Sequence, residues 1–444
     1  MRKKKNAFTL IELLAVIAIL AIILVISIPK ILDVIETSKI NTLKNTVKLI
    51  ADSAEKKYTE NEAFGEENEI TCDSVSKLNK EDYNKCTIIF DENGIAKVSI
   101  LGRGKFKGLK VIEATKTNAE VIKLEAPKYE ITAVEYINGL YEYYGDSYNL
   151  KIDNTKDQNV RYYGSNPNNY VSFNNELWRI IGVFGNNVKL MRKNYLGFFS
   201  WDTSDESING GAGINQWGES TYEDGNLYEG ADLQVYLNKM YYGGDTTVTC
   251  YIGRKNATTI CPKDSKGNFL TINETSKSLI DNHIWNTGAI ESKVTDTLSF
   301  YSDERGTKTG KICTSGDYCN DTVIRTTEWT GYVALPYVTD YVYASSESAC
   351  EIDMKTKDSS NNYICKNNNW MHDTGKGSFT WYLSPAILSN NAIYAWGLEK
   401  TSGISIRNET VYFSFFPTLY LKSNVLIERG NGTSSDPYIL KASA

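Results

Sequence analysis

The sequence has few of the residues from which most hydrolytic and metal sites are built. Only 2 of its 444 residues are histidine, which argues against a histidine-based metal site or a catalytic triad. The GxSxG, HExxH, Walker A and GxGxxG signatures are absent. The formal net charge is −6, so a broad surface that neutralises phosphates is not expected. These absences predict no catalytic residues, no cofactor or metal site, and no general binding of nucleic acid.

The composition is that of a folded protein with more than one domain. Hydrophobic residues make up 41 % and charged residues 23 %, which excludes a largely disordered chain. Because domains commonly span roughly 100–200 residues, two or three are expected. The sequence contains 30 Tyr and 8 Trp. These rings either pack in a core, which is the favoured interpretation, or form a glycan-binding surface.

One long apolar run lies directly behind a basic N-terminus. Residues 8–28 read FTLIELLAVIAILAIILVISI and would form a helix about 31 Å long, enough to span a bilayer. Arg2 and the lysines at 3–5 would hold the N-terminus in the cytoplasm and leave the rest of the chain outside. A secretory signal peptide fits poorly, because such peptides have roughly 7–15 apolar residues and a small-x-small cleavage site. A plain signal-anchor helix stays open.

The beginning of this run carries a specific motif. The letters KNA at 5–7 are followed by FTLIEL at 8–13. This word resembles the class III signal sequence of type IV pilins and type II secretion pseudopilins. The resemblance implies that prepilin peptidase removes residues 1–7 by cutting between Ala7 and Phe8, and then N-methylates Phe8. Pro29 falls where pilins commonly carry a proline that bends the helix. The family usually has Gly before the cut, and Ala7 stands there in this chain.

Glu12 is the one carboxylate inside the apolar run, and a charge at membrane depth needs a partner. Cleavage would remove four basic residues, leaving 44 basic against 54 acidic residues, and would create an α-amine at Phe8. In a bundle of such helices, Glu12 of one subunit can pair with the Phe8 amine of the next. The alternative is that Glu12 extends to the lipid headgroups and has no part in assembly.

The fold class predicted is α+β, in three parts that follow the leader at 1–7. A helix over 8–58, with its membrane half at 8–28, continues because apolar residues recur every three or four positions between 40 and 54. A small antiparallel head follows at 59–125, in which Asn93-Gly94 marks a hairpin. A long helix followed by antiparallel strands is the plan of pilins, and the resemblance implies it here.

Residues 126–444 are predicted to form a larger, loop-rich α+β domain. Helices are expected over 133–144, 233–242 and 276–285, and strands over 170–173, 177–184, 188–191, 332–335, 392–396 and 418–427. The segments 170–184, 381–385 and 419–425 resemble an uncharacterised extracellular domain of Gram-positive bacteria. The layout of that domain is similar to C-type-lectin-like folds. The resemblance implies an extracellular location and a Gram-positive source.

Eight cysteines in a region expected outside the membrane predict disulfides. Pairing of sequence neighbours is the favoured hypothesis, because each couple falls within one loop: Cys72–Cys86, Cys250–Cys261, Cys313–Cys319 and Cys350–Cys365. Free thiols stay open as an alternative. A zinc site is disfavoured, since no CxxC pair occurs and His283 and His372 lack ligand spacing.

The favoured function is that of a pilin-like subunit rather than an enzyme. Its partners would be prepilin peptidase, the membrane and other pilin subunits, and it would end in a cell-surface filament. An outer domain of roughly 320 residues is bulky for a subunit repeated along a fibre, which favours a minor or tip subunit that binds a glycan or another surface ligand. A pseudopilin of a type II secretion or DNA-uptake machine, a surface protein that never assembles, and an ectoenzyme stay open.

Overall fold

The chain forms two compact units. The computed structural model describes residues 10–65, 69–76, 78–203, 215–218, 220–221, 227–228, 230–253, 257–306, 327–372, 379–388 and 391–443. Contacts among these residues separate unit 1, which runs to Ala126 and includes Glu142–Tyr144, from unit 2, which comprises Pro127–Tyr141 and Gly145–Ala444.

Unit 1 begins with the helix α1, Leu10–Phe64. The helix continues through Pro29 and ends six residues later than the predicted position 58. The segment 59–64 reads TENEAF, and its polar letters suggest a loop. Glu and Ala are nevertheless good helix formers, so the helix continues past residue 58 for about one and a half more turns.

The second half of α1 packs on an antiparallel sheet. The short helix α2 is Cys72–Val75, and the strands are β1 Tyr83–Phe90, β2 Ala96–Gly102, β3 Leu109–Ala114 and β4 Val121–Lys123, in spatial order β1-β2-β3-β4. Leu43, Val47 and Ile50 are at most 1 % exposed and share a core with Val98 and Val111. The predicted stripe at 40–54 is therefore the face that covers the sheet.

The β1–β2 turn forms where Asn93-Gly94 predicts it. Asp91 Oδ1 accepts backbone N–H bonds from Asn93 at 2.9 Å and Ile95 at 3.0 Å. Gly94 has φ +72°, a conformation that costs glycine little. The turn is thus determined by local chemistry.

Unit 2 has mixed α+β content. Its helices are α3 Ala133–Tyr144 (of which the last three residues belong to unit 1), α4 Asp232–Val235 continued by a π-helix Tyr236–Tyr242, α5 Glu274–Lys277, α6 Thr297–Glu304 and α7 Val338–Tyr343. Its strands in chain order are β5 Leu150–Ile152, β6 Val160–Tyr162, β7 Tyr170–Phe173, β8 Glu176–Phe184, β9 Asn187–Arg192, β10 Gly197–Ser200, β11 Ser220–Thr221, β12 Leu227–Tyr228, β13 Cys250–Tyr251, β14 Thr258–Thr259, β15 His283–Asn286, β16 Ile290–Glu291, β17 Glu328–Gly331, β18 Val333–Ala334, β19 Phe379–Leu388, β20 Asn391–Glu399, β21 Gly403–Asn408, β22 Tyr412–Phe415, β23 Thr418–Tyr420, β24 Leu426–Arg429 and β25 Tyr438–Lys441.

Two sheets contain most of these strands, and β11-β12, β13-β14 and β15-β17 form separate two-stranded pairs. The larger has the order β18-β23-β9-β8-β7-β25-β24, with β6 paired to β8 and β5 paired to β6. The smaller has the order β10-β22-β19-β20-β21, with β16 parallel to β19. Neighbours such as β23 and β9 are far apart in the sequence, so the order of strands depends on long-range pairing.

One predicted helix, 276–285, is wrong. The helix α5 ends at Lys277, and β15 pairs with β17 so that Trp285 lies opposite Trp329. Trp285 is fully buried, and its Nε1 donates to Gly331 O at 3.0 Å. The β15–β17 ladder and the burial of an aromatic side chain outweigh the helical pattern of the segment.

Tryptophan forms much of the core of unit 2. The side chains that are 0 % exposed include Trp178, Trp201, Trp217, Trp285, Trp381 and Trp396. Their burial favours packing over a glycan-binding surface as the main use of these rings.

Candidate functional site

The first half of α1 exposes apolar side chains wherever its side chains are described. Its large hydrophobic side chains are between 46 and 69 % exposed: Leu14, Val16, Ile17, Ile19, Leu20, Ile28, Ile31, Leu32, Val34 and Ile35. Soluble monomers rarely expose a continuous apolar surface of this size. The same helix therefore has one half that covers its own sheet and another that requires an apolar environment.

Two of the four N-terminal site residues predicted from the motif lie within this helix. Glu12 and Pro29 belong to α1, and we describe only their positions along it. Ala7 and Phe8 lie outside the described residues. Within the described part of the chain, no helix reaches the length and apolarity needed to cross a membrane.

Three disulfides join described cysteines that are neighbours along the sequence. Cys72–Cys86, Cys250–Cys261 and Cys350–Cys365 have Cα–Cα separations of 6.2, 5.5 and 5.7 Å. The predicted bridge Cys313–Cys319 lies outside the described residues. The first bridge belongs to unit 1, and the other two belong to unit 2.

Unit 2 contains a buried ionic cluster that the sequence analysis missed. Arg161 on β6 donates from Nε to Asp153 Oδ2 at 2.6 Å and from Nη1 to Asp340 Oδ1 at 2.9 Å. Lys189 on β9 donates to Asp340 Oδ2 at 2.5 Å. These four residues are at most 2 % exposed. The signal in the sequence is a cation between apolar residues within a strand, as Arg161 in VRY at 160–162 and Lys189 in NVKLMR at 187–192.

The electrostatics of this cluster favour a structural role. Burial would raise the pKa of Asp340, but Lys189 and Arg161 outweigh it and hold that pKa below its ordinary value. Burial lowers the pKa of Lys189, since its single carboxylate, Asp340, is shared with Arg161. No substrate can reach such groups unless the fold opens, so the cluster links β6, β9 and α7 rather than performing chemistry.

The two histidines lie apart and are held by aromatic neighbours. His283 stacks on Tyr420 with ring centroids 3.7 Å apart, and its Nδ1 lies 3.0 Å from Asp281 Oδ2. Burial lowers the pKa of His283 despite Asp281, so the ring is neutral at pH 7. His372 Nδ1 lies 2.9 Å from the Tyr341 hydroxyl. No group of three or more His, Cys, Asp or Glu among the described residues could hold a metal ion.

A polar cavity of about 370 Å³ opens on unit 2 beside β7 and β8. Its lining, as far as the chain is described, carries Arg179, Lys193 and Lys366 but no acidic residue; the other members are Ser165, Asn166, Tyr170, Asn194, Asn368, Asn369 and Trp370. Tyr170 lies opposite Arg179 across the β7–β8 ladder. The cavity therefore has a net positive charge.

Arg179 lines this cavity, is 4 % exposed and is contacted by several protein groups. Its Nε donates to Asn169 Oδ1 at 2.7 Å, and its Nη2 donates to Pro167 O at 3.3 Å. The guanidinium carbon lies 4.0 Å from the Tyr170 ring centroid and 4.6 Å from that of Trp370. Burial lowers the pKa of Arg179 to about 10, so the side chain stays charged at pH 7.

Comparison with known proteins identifies only the N-terminal segment. Residues 2–28 match the family model of the prokaryotic N-terminal methylation motif. This match confirms the motif predicted from FTLIEL and is consistent with the resemblance to type IV pilins and pseudopilins. It ends at residue 28 and does not identify unit 2. No curated protein and no solved structure matches the chain.

Proposed function

We propose that this protein is a type IV pilin-like subunit that prepilin peptidase cuts between Ala7 and Phe8 and that assembles through the first half of α1. The observation that carries the proposal is the exposed apolar surface of that half-helix, which overlaps the methylation motif and extends beyond its end at residue 28. The membrane covers this surface in the precursor. In a filament, the same half-helix of neighbouring subunits covers it, because apolar surface is stabilised by removal from water.

Glu12 would determine the register of the assembled helices. After the cut, the α-amine of Phe8 and the carboxylate of Glu12 carry opposite charges in an apolar surrounding. An unpaired buried charge costs roughly 3–5 kcal/mol, so subunits would stack at the offset that pairs the two groups.

Unit 2 would act outside the membrane as a binding module. Its size favours a minor or tip position in the filament, because a bulky domain on every subunit would crowd a fibre. The methylation motif is typical of structural rather than catalytic proteins. The C-type-lectin-like layout and the Gram-positive source remain proposals that rest on the resemblance of its Trp-rich segments.

Mass spectrometry of the mature N-terminus tests the processing step. The expected result is a chain that begins at N-methylated Phe8. A mature protein that still begins at Met1 would contradict the proposal and would favour a plain membrane-anchored surface protein.

Replacement of Glu12 tests the assembly step. Glu12→Ala should be processed normally yet be lost from sheared filaments, because the Phe8 amine then lacks its partner. Glu60→Ala is the matched control, since Glu60 lies on the same helix and is exposed. Equal amounts of both variants in the filament fraction would refute the role of Glu12. Processed wild-type protein that never enters sheared filaments would instead favour a pseudopilin of a secretion or DNA-uptake machine.

A further inference from the structure

We propose that the cavity around Arg179 binds one anionic sugar unit, whose carboxylate or phosphate group is held by the Arg179 guanidinium. This proposal names a ligand class for unit 2 and rests on its proposed binding role, but it does not depend on filament assembly.

Arg179 has N–H groups that its protein contacts do not use. A guanidinium has five N–H groups. One Nε and one Nη2 hydrogen are engaged by Asn169 and Pro167. The edge formed by Nη1 and the second Nη2 hydrogen has no protein partner among the described residues. Such an edge matches the two oxygens of a carboxylate or phosphate, which it binds through two parallel charge-assisted hydrogen bonds.

Among the described residues, no carboxylate forms a salt bridge with Arg179. A buried cation is costly unless it is paired, and no salt bridge of the described residues includes Arg179. Two aromatic rings cover its faces and offset part of this cost. An arginine with a purely structural role would be expected to contact a carboxylate, as Arg161 does with Asp153 and Asp340. The charge of Arg179 is therefore available to a ligand.

Two lysines add positive charge to the cavity wall. Lys193 and Lys366 line the cavity and are half-buried. Neither takes part in a salt bridge of the described residues, and Lys193 Nζ lies 5.8 Å from the Tyr170 ring centroid. Lys366 also interacts electrostatically with the exposed Asp358, which is not part of the described lining. The three cations of the lining outnumber that carboxylate, so the wall attracts an anion and disfavours a cation.

The remaining wall suits hydroxyl groups. Asn166, Asn194 and Asn368 present amides that both donate and accept hydrogen bonds, and all three residues are exposed. A volume of about 370 Å³ is near the lower end of small-molecule sites. These features favour one sugar unit that carries an acidic group over a long apolar ligand.

The cavity is preorganised by contacts behind it. Trp370 Nε1 donates to Tyr162 O at 3.0 Å, which fixes the ring over Arg179. The segment that contributes Lys366 begins directly after the bridge Cys350–Cys365. Asn169 Nδ2 donates to Ile180 O at 2.7 Å, which orients the amide that holds Arg179. Fixed groups lose little entropy on binding, so they bind a ligand more tightly than mobile ones.

Isothermal titration calorimetry on the full chain in detergent tests the proposal. The probes are glucuronate, glucose 6-phosphate, glucose, acetate and inorganic phosphate. We expect saturable binding of at least one acidic sugar, at least tenfold tighter than that of glucose and of the matching free anion. Arg179→Lys keeps the positive charge but removes the pair of parallel N–H donors. It should therefore weaken binding of the acidic sugar roughly tenfold or more.

Two further variants keep the test informative if Arg179→Lys unfolds. The double variant Lys193→Gln with Lys366→Gln should lower the affinity for the acidic sugar roughly tenfold, since neither lysine supports the core. Lys400→Gln, at an exposed turn between β20 and β21, is the matched control and should leave the affinity unchanged.

Several outcomes would overturn the proposal. One is the absence of saturable binding for every probe. A second is equal binding of glucose and the acidic sugars, and a third is equal binding of the acidic sugars and free phosphate or acetate. A fourth is an affinity that neither the Arg179 variant nor the double lysine variant changes. Any of these leaves pilin-type assembly standing, because the N-terminus and the filament fraction report on assembly independently.

Discussion

Substitution of Asp340 by Asn should destabilise unit 2 strongly. Asp340 accepts hydrogen bonds from Arg161 Nη1 at 2.9 Å, Lys189 Nζ at 2.5 Å and Tyr337 N at 2.9 Å, and it is 1 % exposed. The amide keeps the size of the side chain but leaves Lys189 with no counter-charge and Arg161 with Asp153 alone. Removing one partner of a buried pair costs roughly 3–5 kcal/mol, and we expect a loss in this range.

Tryptophan fluorescence during denaturant unfolding measures this loss selectively. All 8 tryptophans lie in unit 2, and six of those described are 0 % exposed, so the signal reports unfolding of that unit alone. The shift of the unfolding midpoint, at an unchanged slope, gives the difference in the free energy of unfolding. Glu428→Gln serves as a control, because Glu428 lies 3.8 Å from Arg429 in an exposed pair that should contribute less than about 1 kcal/mol.

A second substitution separates charge from packing. Adding Lys189→Met to Asp340→Asn removes the stranded cation and should recover a large part of the loss. If Asp340→Asn costs less than about 1 kcal/mol, or if the double variant is less stable than Asp340→Asn alone, the cluster is not held together by charge and our reasoning fails. Such a result would indicate that Asp340 stabilises unit 2 mainly by accepting the Tyr337 N–H at the start of α7.

Two further predictions concern the same unit. Replacing Cys350 and Cys365 by Ser should lower the free energy of unfolding by about 3 kcal/mol, as expected for a loop of 15 residues, and should weaken acidic-sugar binding; unchanged values for both would contradict the preorganised wall. Acid should also destabilise unit 2. Burial opposes ionisation of Asp153 and Asp340, but their cationic and hydrogen-bonding partners keep both pKa values below 3.8, so the stabilisation is complete above pH 3.8 and is lost as the pH falls through the lower folded values. Fluorescence-monitored acid titration checks this, and a midpoint that is the same in Asp340→Asn would count against it.

In unit 1, Leu43→Ala should lower the free energy of unfolding by about 2–5 kcal/mol, because Leu43 is 0 % exposed. Leu49→Ala on the same helix is the control and should lower it far less, because Leu49 is 67 % exposed. Hydrogen exchange of the β2 amides measures the difference. Similar protection in both variants would contradict the assignment of the packed face.

Several features were predictable because neighbouring residues encode them. The strand Tyr170–Phe173 and the helix Ala133–Tyr144 have the predicted bounds, since alternation and a Thr132–Glu135 capping box mark them locally. The FTLIEL word identified the N-terminal motif for the same reason. The segment 276–285 failed because its pairing partner, β17, lies more than forty residues away along the chain.

The sequence by itself determined the N-terminal motif, the long helix and the hairpin of the head, because each depends on spacing within a few residues. Only the tertiary structure decided which charged groups are paired. Arg161 and Asp340 are 179 residues apart along the chain. The Trp370 ring lies beside the Arg179 guanidinium although these two residues are also far apart in the sequence. Folding brings such distant residues together. Arg161 and Arg179 are both buried, and only their tertiary contacts show that Arg161 is paired with carboxylates while Arg179 has no salt bridge among the described residues. The candidate ligand site is therefore a product of long-range packing, whereas the methylation motif is encoded within the first thirty residues.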